Sequence, residues 1–81
     1  DKWDEWTCIG LYRAKKELLE KHPDKRVIDI EGIMEKSYAT NIDDLRKNIN
    51  RGKNILKSLA ERDGMEWASV LLAAPKRGKT K

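Results

Sequence analysis

Apolar residues at Ile42, Leu45, Ile49, Leu56 and Leu59 recur at three- and four-residue steps, with Gly52 standing in the one gap. Over most of the same stretch, from Leu45 to Ala60, the chain contains no acid. Five bases occupy the remaining positions, Arg46, Lys47, Arg51, Lys53 and Lys57, with Asn48, Asn50 and Asn54 between them. A period near 3.6 with one apolar seam is the pattern of a helix half sunk in a core. Arg46, Asn50, Lys53 and Lys57 lie four, three and four apart and share one face of that helix. The seam reads as core, since coiled-coil pairing needs more repeats. Gly52 marks either a bend or a place where another backbone comes close.

Length sets the scale of what surrounds this helix. Eighty-one residues make one small domain, near the lower limit for folding without a staple. Hydrophobic residues make up 38% and charged ones 40%, so the core is compact and the helices carry solvated charged faces. Phe is absent, and three Trp and two Tyr supply the bulk. Cys8 has no partner for an internal disulfide, and no Cys/His spacing suits zinc, so neither a metal nor another cofactor is expected. A lone thiol fits an intracellular setting, cytoplasmic or nuclear. No apolar run approaches the roughly 20 residues of a membrane span. The chain begins without Met, which suggests a piece of a longer protein.

Around the basic helix the sequence predicts three more. Asp4 caps a first helix running to about Lys21, with Cys8, Leu11, Tyr12, Leu18 and Leu19 inward and Trp3 and Trp6 packed at its start. His22-Pro23-Asp24 ends it. Val27, Ile30, Met34 and Tyr38 form a second apolar stripe, with Ile33 beside it. Val27 to Ile30 is β-branched enough for a strand, but a lone strand has nothing to pair with, so a helix from about Asp29 to Ser37 is expected. Ala39-Thr40-Asn41 reads as a turn, with Thr40 or Asn41 capping the basic helix and Asp43 and Asp44 in its first turn. Asp63-Gly64 stops it. A last helix follows with Trp67, Val70, Leu71 and Ala74 on one face, and Pro75 ends it. The expected fold is all-α: an orthogonal bundle of about four helices spanning residues 1–75, with a basic flexible tail over 76–81.

Charge then points to a partner. Net charge is +4 and the pI about 9.3, a mild lean toward anions. The positive charge is concentrated in two blocks, the basic helix and the tail residues Lys76, Arg77, Lys79 and Lys81. Lys and Arg neutralise phosphates, and Arg and Asn also bond base edges in pairs. Arg46, Lys47, Asn50, Arg51, Lys53, Asn54 and Lys57, with Lys76 and Arg77 in reserve, are therefore the candidate DNA-binding residues. Catalysis has no constellation behind it: His22 sits at a helix end, Cys8 on a buried face, and no phosphate loop is present.

Helix, short turn and basic helix is the order of a helix-turn-helix. The run from Ile33 to Arg46, IMEKSYATNIDDLR, closes its first helix on Tyr38 and opens the second with Leu45-Arg46. With Trp67-Ala68 and Lys76-Arg77-Gly78 behind it, the second half of the chain resembles the DNA-end-binding subdomain of Mu-type phage transposases. Departures are visible as well. Ala39 stands where that turn often has Gly, Asp43-Asp44 stand where hydroxyl residues often meet phosphate, and the stretch from Leu45 to Trp67 is longer. The resemblance implies duplex DNA as the partner, in a transposase or transcription regulator. An acidic protein partner, for a helical assembly module, and RNA are the alternatives that the same charges serve.

Overall fold

The computed structural model describes residues 3–76, which form four helices and, among the described residues, no strand. Helix α1 spans Glu5–Lys21, α2 Val27–Ser37, α3 Ile42–Glu61 and α4 Glu66–Leu72. The all-α bundle expected from the four apolar stripes is therefore present. No described helix is long and apolar enough to cross a membrane.

Local chemistry explains each boundary. The Asp4 carboxylate accepts from the Thr7 N–H at 2.8 Å and starts α1. At the other end His22, non-helical at φ −123° and ψ 69° as the residue before Pro23, returns its N–H to Leu18. Helix α2 begins two residues earlier than the β-branched run suggested. The reason is Asp29, whose carboxylate reaches back to accept from the Arg26 N–H at 3.1 Å and so satisfies a donor at the helix start. Helix α2 closes in a Schellman motif: Thr40 N–H bonds the Glu35 carbonyl and Ala39 N–H that of Lys36. The motif puts Ala39 at φ 51°, where a side chain is penalised. Asn41 then caps α3, accepting from the Asp44 N–H at 2.8 Å. Gly64, at φ 64°, turns the chain out of α3 and into α4.

Helix α3 runs unbroken through Gly52, which settles that glycine's role. It is a close approach. A Cβ built on Gly52 would lie 2.5 Å from the Cys8 carbonyl carbon, 3.0 Å from the Ile9 nitrogen, and nearer still to the Cys8 oxygen. Here α1 and α3 touch backbone to backbone, and the core divides around the contact. One cluster joins Leu11 and Leu19 of α1, Ile30 and Met34 of α2, and Leu45 and Ile49 of α3. The other, smaller, joins Ile9, Leu56 and Ala68 of α4. Tyr12 packs against both.

Several expected side-chain positions are revised. Trp6 is 72% exposed, so only Trp3 packs at the start of α1. Val27 is exposed while Ile30 and Met34 are fully buried, because the helix starts at Val27 and its first turn projects beyond the core. In α4 the inward face is Ala68, Leu71 and Leu72, while Trp67 and Val70 are exposed, and the helix ends at Leu72, leaving Ala74 beyond it and exposed ahead of Pro75. Seven residues on a small contact seat a small side chain against α3 more closely than an indole. Asn48 turns inward as well: its Nδ2 donates to the Asp44 carbonyl at 2.9 Å, and its Oδ1 faces the Cys8 thiol at 3.6 Å. The amide-rich stripe therefore holds two asparagines, Asn50 and Asn54.

Candidate nucleic-acid interface

Helix α3 buries Leu45, Asn48, Ile49, Gly52 and Leu56 and turns the opposite arc to solvent. That arc carries Arg46, Lys47, Asn50, Arg51, Lys53, Asn54 and Lys57, every one exposed. Spacing placed Arg46, Asn50, Lys53 and Lys57 on one face, and the structure exposes Lys47, Arg51 and Asn54 beside them. They differ in what they are free to do.

Arg46 is held. Its Nε and terminal amino group clasp the Glu31 carboxylate of α2, the shortest contact being 2.8 Å. Glu31 also meets the Lys15 Nζ at 3.5 Å, and its side chain is 4% exposed. The Arg46 hydrogen bonds hold the Glu31 carboxyl below the usual glutamate range, against burial, which pushes it up; the positive charge of Lys15 assists. Arg46 is driven upward by the same pairing. A planar guanidinium gripped in this way is committed to α2 before any ligand arrives. Arg51 is occupied too, donating to the Trp3 carbonyl at 2.8 Å and fastening the start of the chain to α3. By contrast, the side chains of Lys47, Asn50, Lys53, Asn54 and Lys57 make no hydrogen bond or ion pair with the described residues.

Acids govern the other end of the helix. Asp43 and Asp44 are exposed in the first turn, with Asp44 further tied to the Asn41 amide at 3.3 Å. They suit the positive end of the helix dipole but repel a phosphate there. The available positive field of α3 thus lies at and beyond Lys47.

Sequence reasoning missed the α1 side of this surface. Between α1 and α3 runs a groove of about 420 Å³, whose walls include Lys15 and Lys16 from α1 and Arg46, Asn50 and Lys53 from α3, with Glu31 also lining it. Lys16 is braced by the Val70 and Leu71 carbonyls of α4, at 3.0 and 3.4 Å. The adjacent pair Lys15-Lys16 was the available signal, and so was Glu31, a carboxylate beside Ile30 on the inward stripe of α2.

Of the two tail candidates, Lys76 is exposed but docked at its backbone, its N–H donating to the Glu20 carboxylate at 2.8 Å. The tail expected from residue 76 therefore begins with a contact to α1. Arg77 and the rest of the tail lie outside the described residues. Among the described residues no three His, Cys, Asp or Glu side chains gather as metal ligands do. No family model, curated protein or solved structure matches the chain.

Proposed function

We propose that this domain binds duplex DNA, and that it does so chiefly through phosphates met by the middle and second half of α3. One observation carries the reading: Lys47, Asn50, Lys53, Asn54 and Lys57 occupy one exposed arc of a rigid helix with no partner among the described residues. Charged side chains that a fold holds without internal partners are available to neutralise a polyanion.

The α2–turn–α3 unit supports a helix-turn-helix-like arrangement, in keeping with a module of a transposase or transcription regulator. It departs from the usual use of such a unit, in which residues at the start of the second helix meet base edges. Here that start is acidic and Arg46 is clasped by Glu31. Base reading falls to Asn50 and Asn54 instead, which offer donor and acceptor together. Affinity is accordingly expected to be strong in its salt dependence and modest in its sequence preference.

Titration with duplex DNA across a range of salt tests this. If three to five phosphates are met, log affinity falls with log salt at a slope of about −3 to −4.5. Lys53→Ala and Lys57→Ala each flatten that slope by about one unit and weaken all sequences alike. No duplex binding even at low salt would refute the proposal and favour an acidic protein partner.

A further inference from the structure

We propose that the groove between α1 and α3 is a phosphate seat, taking a phosphate group carried by nucleic-acid backbone or by a free phosphorylated compound. The proposal shares Asn50 and Lys53 with the duplex reading but stands or falls separately from it.

Among the described residues, four cations line the groove, Lys15, Lys16, Arg46 and Lys53, against the one carboxylate of Glu31. Glu31 works as a tie. Its two oxygens take Arg46 from the α3 wall and Lys15 from the α1 wall, so its charge is spent on fixing those two side chains. Lys16 is steadied by the carbonyls at the end of α4. Lys53, across the groove, has no partner among the described residues. Three of the four cations are thus placed by the fold itself, and their sites do not have to be assembled when an anion arrives.

Holding like charges around one concavity costs energy that an anion relieves. Phosphate suits the donors better than carboxylate does. Each lysine carries three N–H donors pointing in different directions, and Asn50 adds an amide donor. A tetrahedral anion accepts from several sides, whereas a carboxylate presents two oxygens in one plane. The volume of about 420 Å³ falls within the size range of small-ligand sites. Tyr12, Leu19 and Ile49 supply an apolar wall for whatever the phosphate is attached to.

The test follows backbone amide shifts of the full chain during two titrations, one with inorganic phosphate balanced against potassium chloride at constant ionic strength, and one with a short duplex. Phosphate is expected to move Lys15, Glu31, Asn50 and Lys53 saturably. Lys15→Gln and Lys53→Gln should each weaken it about tenfold, the scale of one charge-assisted hydrogen bond. Lys36→Gln, at an exposed site on α2, should leave it unchanged. Lys53 is exposed, so its variant alters charge without altering packing.

Phosphate shifts in the groove without duplex binding support the seat, identify a free phosphorylated compound as the source, and sink the duplex reading. Duplex shifts that include the groove residues support the seat with backbone as the source. Duplex shifts confined to Lys47, Asn54 and Lys57, with inorganic phosphate silent, overturn the seat and leave the duplex reading intact. Shifts that chloride reproduces at equal ionic strength overturn it as well.

Discussion

Replacing Gly52 with Ala puts the central packing contact on trial. In an ordinary helix interior this change stabilises by about 1 kcal/mol, because Gly gives up more backbone freedom than Ala. At Gly52 the new methyl would sit 2.5 Å from the Cys8 carbonyl carbon, where carbon atoms prefer about 3.5 Å or more. The obstacle is backbone of another helix, so no rotamer change clears it, and α1 and α3 must part by about 1 Å. A gap of that size forfeits a quarter to a half of each van der Waals contact across it. Both core clusters flank the contact and feel it. Overpacking costs about 1–3 kcal/mol, sometimes more. Taking the upper value because the neighbour is rigid, and subtracting the helical gain, leaves a loss of about 2 kcal/mol. That corresponds to a fall in Tm of roughly 8–16 °C for a domain of this size. Gly10 and Gly32 supply the controls. Both lie inside helices with nothing within 4 Å of an added Cβ, so Gly10→Ala and Gly32→Ala should gain about 0.5–1 kcal/mol. Thermal and denaturant melts followed by circular dichroism separate the cases. A Gly52→Ala domain as stable as the parent, or three variants that shift together, would refute the backbone contact between α1 and α3.

Three further predictions rest on other parts of the fold. Leu45→Ala and Leu56→Ala, each at a fully buried site in a different cluster, should each cost about 2–5 kcal/mol in denaturant melts. Ala39→Gly should stabilise by about 1 kcal/mol, because Ala39 holds a left-handed conformation that glycine adopts without strain; an unchanged or lower Tm would count against the Schellman geometry. The lowered pKa of Glu31 gives a pH dependence. Its contribution is fully present above the unfolded value of about 4.3 and is lost as pH falls through the still lower folded value. The stability gap between the parent and Glu31→Gln should therefore be constant near neutrality and close in acid, which melts from pH 7 to about 3 would reveal.

Helical periodicity carried most of the fold. The cap at Asp4, the stop at His22-Pro23, the turn before Asn41 and the seam through Leu45, Ile49 and Leu56 all follow from short-range rules. Such rules weaken where an element is short. Helix α4 has only seven residues, and the bulk of Trp67 pointed to a face that the packing of Ala68 overrode. Pairings across the chain were less legible still. Arg46 and Arg51 look like free cations in a string of letters; only the folded chain brings Glu31 to one and the Trp3 carbonyl to the other. Conversely, Lys15 and Lys16 join α3 residues in one groove only because α1 packs directly against α3.

The uneven division of the core also governs how the molecule opens. Free energies of local opening follow the apolar contacts that hold a segment, and native hydrogen exchange reports them segment by segment. Six buried side chains bind α1, α2 and the first half of α3 to one another, whereas seven-residue α4 is held by one buried residue, Ala68, and the half-buried Leu71 and Leu72. Helix α4 is therefore the part expected to detach first, while the rest stays folded. Detachment releases Lys16 from the Val70 and Leu71 carbonyls and uncovers Ile9 and Leu56. A weakly held helix at one end thus couples its own fraying to the position of a lysine on the basic groove.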